Sequence, residues 1–149
     1  MKKFFVTICA VGILLTGCGD EENFPVQKSA TNKINLNAAK DGTYTVESSL
    51  DENFGKSVLT LTIRDKKITA AEFTGYDLFG KIKDENYGAL ADKVADYQAA
   101  QTAVAAIKIY PAQLIETQDL SKVDAISGAT ISYDQFVETT KRAVDEAIK

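Results

Sequence analysis

The sequence predicts an α+β domain: a small antiparallel sheet packed with a long amphipathic helix and a C-terminal helix. Three observations carry that expectation. Residues rich in β-formers alternate in polarity between Gly42 and Tyr76. Composition then turns alanine-rich, with apolar residues recurring every three or four positions from about Tyr87. A loop of small residues ends at Thr130, and a second stripe of helical spacing runs from there to the C-terminus.

Taken in order, Gly42–Glu47 (GTYTVE) reads as a strand, and Asp51 to Lys56 as a turn or loop. Ser57 to Arg64 places Leu59, Leu61 and Ile63 on one face and Val58, Thr60, Thr62 and Arg64 on the other, the period-2 pattern of a half-buried strand. Asp65-Lys66-Lys67 makes a tight connection into a third strand, Ile68–Tyr76, so an antiparallel hairpin is expected. Asp77 to Asn86 is a charged loop. From about Tyr87 to Lys108 the residues Leu90, Val94, Tyr97, Ala100, Val104 and Ile107 mark the buried stripe of a helix. Asp84 and Glu85 ahead of it and Lys108 at its close suit the helix dipole. Pro111 opens a further helical turn or two. Ser132-Tyr133-Asp134-Gln135 has the form of a capping box, and Phe136, Thr140, Ala143, Val144 and Ala147 form the last stripe.

The N-terminus is a separate matter. Met1-Lys2-Lys3 is basic, and the apolar run Phe4–Thr16 covers roughly 13 residues, short of the ~20 a membrane span needs. It fits the core of a secretory signal, residues 1–17; an anchor that is never removed is the alternative. Leu15-Thr16-Gly17-Cys18 resembles the bacterial lipobox, which implies lipid attachment at Cys18 and a place on the extracytoplasmic face of the cell membrane. With Cys9 in the signal, one cysteine remains after processing, so no disulfide framework is expected. Residues 18–41 carry this cysteine and a polar stretch that reads as a solvated linker, about 25 Å end to end as a flexible coil of about 23 residues. The domain itself is placed at 42–149.

Composition narrows the chemistry. The formal charge is −4, and no basic cluster is present, which argues against nucleic acid and against anionic lipid head groups as partners. Histidine and tryptophan are absent and the initiator is the one methionine. Histidine-based acid–base chemistry, triads, histidine metal sites and haem held by His or Met are therefore excluded. Redox or catalytic work would need an organic cofactor or carboxylates.

The segment suited to hold one is Asp124-Ala125-Ile126-Ser127-Gly128-Ala129-Thr130-Ile131-Ser132. Ser127, Gly128 and Ala129 leave little bulk beside Thr130, and a helix is expected to begin two residues after it. Its first N–H groups and dipole would favour an anion on that hydroxyl, by roughly a kcal/mol or less. The same segment resembles the FMN-binding domain family, found in lipoproteins and in flavin-bearing subunits of membrane electron-transport complexes. The family pattern is Asp, two residues, Ser or Thr, Gly, Ala, Thr, matched here by Asp124, Ser127, Gly128, Ala129 and Thr130. Ala125 stands where many members have Gly, and Ser132 where many have Thr. Gln118 and Asp119 also resemble the family's usual surroundings.

The resemblance implies covalent FMN on Thr130, moved there from FAD by a flavin transferase. Asp124 would serve transferase recognition or loop shape, or be a plain solvated turn residue. It also implies an electron carrier, supplied by a membrane quinone or dehydrogenase and serving an extracellular acceptor or partner reductase. Tyr76, Phe79, Tyr87 and Tyr133 are candidates to stack on the flavin ring, or simply core aromatics. Two other readings stand beside this one: a lipoprotein that binds without redox chemistry, and a signal peptide whose fragment Ala10–Gly17 acts as a secreted peptide signal.

Overall fold

The computed structural model describes residues 32–149. The expected signal at 1–17, Cys18 as the expected lipid site and the chain up to residue 31 lie outside these described residues. Three strands form one antiparallel meander in the order β1-β2-β3: β1 is Gly42–Glu47, β2 Lys56–Arg64 and β3 Lys67–Tyr76. The alternation read in the sequence sets its faces. Leu59, Leu61 and Ile63 are fully buried, while the other face carries Thr43 against Thr62 and Thr45 against Thr60, each pair joined by hydroxyl hydrogen bonds of 3.1 and 3.0 Å. Leu59 stands between Val46 and Phe73 in register, so the buried rows of all three strands align. Asp65 and Lys66 close the β2–β3 hairpin with φ of 48° and 60°. Two successive left-handed residues give the turn whose twist matches that of the flanking strands.

Both helices cover one face of this sheet. The first, α1, is Val94–Thr117, and the second, α2, is Thr130–Ile148. Between them Leu120–Lys122 makes a 3-10 turn, capped by the Asp119 carboxylate, which accepts from the Ser121 N–H at 3.0 Å and its hydroxyl at 2.7 Å. Where sheet and helices meet, Phe73 and Phe136 lie edge to face with centroids 5.1 Å apart, and Tyr110 adds its ring to Phe136 at 5.6 Å. The stripe expected on α2 is buried in full: Phe136, Thr140, Ala143, Val144 and Ala147.

The first helix departs from expectation at both ends. It does not begin at Tyr87, because Gly88 adopts φ 79° and residues 85–90 form a chain of turns. Leu90 is consequently 99% exposed and Val94 74%, so the forward half of the expected stripe is not in the core. Asp84, Glu85 and Lys108 therefore do not flank the helix ends; Asp96 occupies the first turn, and the last turn holds no basic residue. Nor does Pro111 open a second helix. It lies inside α1, carried through by Ile107, Tyr110 and Leu114, whose burial at three- and four-residue spacing outweighs the one backbone bond a proline removes. The helix stops at Gln118, which is left-handed (φ 56°) and returns its N–H to Leu114 O at 2.9 Å. The Gln118 amide also accepts from Ile68 N (2.7 Å) and donates to Ile68 O (2.9 Å), tying this helix end to the start of β3 as a further strand would.

Two further expectations are corrected. The α2 cap is Ala129, so Ser132 stands inside the first turn and Gln135 does not close a capping box. Gln135 is instead buried, accepting from the Ser57 hydroxyl at 2.7 Å and donating to Gly55 O at 2.9 Å. Over residues 32–41 the expected solvated linker is packed chain: Ala39 is core, Ile34 and Leu36 lean on it, and Lys40 N donates to Ala147 O at 2.9 Å. Asn32 is held as well, donating to the Tyr133 hydroxyl at 3.3 Å and accepting from Lys141 Nζ at 3.1 Å.

Candidate functional site

The small-residue loop before α2 is held from behind by one buried phenol. The Tyr110 hydroxyl accepts from Ile126 N and donates to Ala129 O, both at 3.3 Å, and so grips the loop at two points three residues apart. Burial pushes this phenol above its usual pKa, with the Ile126 hydrogen bond opposing. Tyr133, edge-on to Tyr110 at 5.6 Å, donates to Val123 O at 3.3 Å, and Gln113 accepts from Asp124 N at 3.0 Å. Gly128 reaches φ 84° inside this frame; a Cβ there would meet Thr102 at an ordinary 3.6 Å, so it is the backbone angle, not space, that asks for glycine.

These restraints deliver Ala129 into the core and leave Thr130 exposed as the first residue of α2. Ile126 O accepts from Ala129 N, and Ala129 O accepts from Tyr133 N, the first bond of the helix. The N–H groups at the start of α2 precede any intrahelical partner, and the first turn contains no acidic side chain. The threonine hydroxyl therefore stands at the positive end of a 19-residue helix.

Beside Thr130 opens a cavity of about 630 Å³. One wall is the motif itself, Gly128 through Ser132. Ala99, Ala100 and Ala103 of α1 add three small apolar side chains to the lining. Phe54 comes from the turn before β2, and Lys83, Tyr87 and Gly88 from the β3–α1 connection. Gly88 lies so close to α1 that a Cβ would stand 2.5 Å from the Ala100 Cβ. Among the described residues, no group of His, Cys, Asp or Glu is placed to hold a metal ion.

The structure thus brings together four of the residues singled out in the motif, Gly128, Ala129, Thr130 and Ser132, on one cavity wall. Asp124 and Ser127 are exposed and lie outside the lining. Of the four aromatic candidates, Tyr87 reaches the cavity. Phe79 is 94% exposed on its turn, Tyr76 pairs with Lys56 and Ile82 at the sheet edge, and Tyr133 faces Tyr110 behind the loop. Phe54, Lys83, Tyr110 and Gln113 were not anticipated. Their one sequence signal is Tyr110, which continues the apolar spacing of α1 past Ile107.

A cavity of this volume, mostly apolar with a few polar groups, is in the range that takes a small organic cofactor. The FMN-binding domain profile matches residues 54–145. The chain belongs to the FMN-binding domain family. The matched span holds Phe54, the β3–α1 connection, both helices up to Asp145 and the whole motif, so every residue of the cavity lies within the FMN-binding domain. FMN is accordingly its cofactor. The crystal structure of the CPE2226 protein from Clostridium perfringens is similar, with a TM-score of 0.58 and 27% identity over 73% of this chain and 88% of that one. No curated protein matches this FMN-binding domain.

Proposed function

We propose that this domain carries FMN covalently on Thr130 and passes electrons between a membrane donor and an extracellular acceptor or partner reductase, held to the outer face of the membrane by lipid on Cys18. One observation supports the covalent reading above others: the motif threonine is exposed, on the lip of the 630 Å³ cavity, at the first position of α2. A hydroxyl buried in the wall could not be reached by a second enzyme. This one can.

In the loading reaction the Thr130 Oγ1 gives its proton to a base of the transferase and bonds to the phosphorus of the FMN half of FAD. The pyrophosphate bond breaks and AMP leaves. The chain's own part is presentation: Tyr110 fixes the loop, and the α2 N-terminus faces the new phosphodiester with backbone N–H groups. That arrangement favours the anion by at most about 1 kcal/mol at so exposed a site. Once bound, the isoalloxazine supplies the redox chemistry. Ala99, Ala100, Ala103 and Phe54 offer it an apolar seat, and Tyr87 an aromatic edge. A covalent bond also makes loss by dilution impossible, which matters where no pool of free FMN is maintained.

Intact-mass spectrometry of the processed protein, made together with a flavin transferase, tests the reading. The wild type is expected to gain the mass of an FMN phosphoester and Thr130→Ala to lack it. A wild-type protein of unmodified mass overturns it.

A further inference from the structure

The cavity wall contains a cation at an unusual cost. Lys83 is only 6% exposed. Its backbone N–H is fixed to Gly75 O at 2.9 Å, and its aliphatic stem covers Gly75 so closely that a Cβ there would stand 3.1 Å from Lys83 Cδ. The ammonium lies 5.3 Å from the centre of the Tyr87 ring. The ion pairs among the described residues join Lys56 to Glu47, Lys122 to Asp119 and Arg142 to Glu138, so none of these takes in Lys83. Asp51 and Asp77 act on it only from beyond ion-pair distance, and burial outweighs them, holding its pKa below the usual lysine value. Even a partly desolvated ammonium with no carboxylate at ion-pair distance costs a fold some stability. Nothing in the packing of the stem requires the charge, since an unbranched apolar chain would cover Gly75 equally.

The remaining charge on the lining is Asp96, exposed at the start of α1. An incoming flavin carries two places where negative charge resides. One is the phosphodiester, which the α2 N-terminus already faces. The other is the ring, which gains negative charge when it takes up two electrons and one proton. Lys83 lines the cavity together with Phe54 and Tyr87, and its ammonium lies over the face of the Tyr87 ring.

We infer that Lys83 sets the reduction potential of the flavin in this protein: its ammonium on the cavity lining stabilises the reduced, anionic ring over the oxidised, neutral one and raises the midpoint. This rests on FMN being seated in the cavity beside Thr130. Lys83 is here a tuning residue for electron transfer, distinct from the loading chemistry at Thr130.

The test uses the flavinylated protein, with dithionite as electron source and redox dyes as potential standards. Lys83→Met and Lys83→Gln keep the stem and remove the charge; Lys83→Arg keeps the charge. The neutral variants should weaken the preference for the reduced over the oxidised ring by tenfold or more, about 30 mV toward negative potential for a two-electron couple. Lys83→Arg should stay near the wild type. Before flavin loading, Lys83→Met should melt at or above the wild-type temperature. Coincident midpoints in loaded wild type and neutral variants overturn the inference while leaving the cofactor reading intact; absence of flavin from the wild type overturns the cofactor reading itself. Neutral variants that fold but load no flavin would assign Lys83 to acceptor recognition, and an unloaded Lys83→Met that melts well below wild type would assign it to structure. Either result also overturns the inference.

Discussion

Gln135 shows how much a single buried amide settles. Its carbonyl takes the Ser57 hydroxyl and its NH₂ takes Gly55 O, joining α2 to the turn that brings Phe54 to the cavity. Gln135→Leu should cost about 2 kcal/mol in urea denaturation, since the buried Ser57 hydroxyl loses its acceptor and the Gly55 carbonyl keeps only the Asp51 N–H. Asp119 works at the surface by a related device. Hydrogen bonds from the Ser121 hydroxyl and N–H hold its carboxyl below the usual 3.8. A carboxyl with a lowered folded pKa stabilises fully above its unfolded value and loses that contribution as pH falls through the folded one. The stability gap between wild type and Asp119→Asn, followed by thermal melting, should therefore be widest near neutral pH and close below the ordinary carboxylate range. Neither role was visible in advance. The spacing of Ser132 and Gln135 fits a cap as well as it fits an interior hydrogen bond, and only the position of Ser57 across the sheet decides between them.

At the scale of elements, two backbone positions invite substitution. Lys66 sits at φ 60° in the β2–β3 turn, where a side chain is strained by about 1–2 kcal/mol. Lys66→Gly removes that strain and gives back roughly 0.5–1 kcal/mol to the freedom of the unfolded chain, so a small net gain in melting temperature is expected. Gly128 is the reverse case: Gly128→Ala should strain the motif loop by about 1–2 kcal/mol, and the fraction of protein carrying flavin after co-production with the transferase should fall, although Thr130 is untouched. The strands were legible because alternation is a local property, and Leu59, Leu61 and Ile63 declare it without help. The course of α1 was not. Proline and the alanine run are local signals too, but they point to a helix that starts early, closes at Lys108 and gives way to a new segment opened by Pro111. The burial of Ile107, Tyr110 and Leu114 against β3 and the loop, which depends on distant parts of the chain, is what moved the helix onward.

For the whole molecule, pH dependence separates the buried cation from the buried phenols. The Lys83 pKa lies below its ordinary 10.5, so between the folded value and 10.5 the unfolded chain binds the extra proton and stability rises with pH. Tyr87 and Tyr110, pushed up from 10.0, oppose this only above that pH, where the unfolded phenols ionise first. Denaturation of Lys83→Met against wild type along a pH series should show the variant's advantage shrinking as 10.5 is approached. In the site as a whole, the motif threonine and its glycine were readable as a contiguous stretch, whereas the cavity was not: Phe54, Lys83, Tyr87 and Gly88 come from about 40 to 80 positions away, and no spacing rule links them to Thr130. The grip on Asn32 has a mechanical consequence. The Tyr133 hydroxyl that meets the Asn32 amide also holds Val123 O, at the root of the motif loop. Tension arriving along the backbone at Asn32 would thus be felt, one aromatic ring later, at the root of the loop that ends in Thr130.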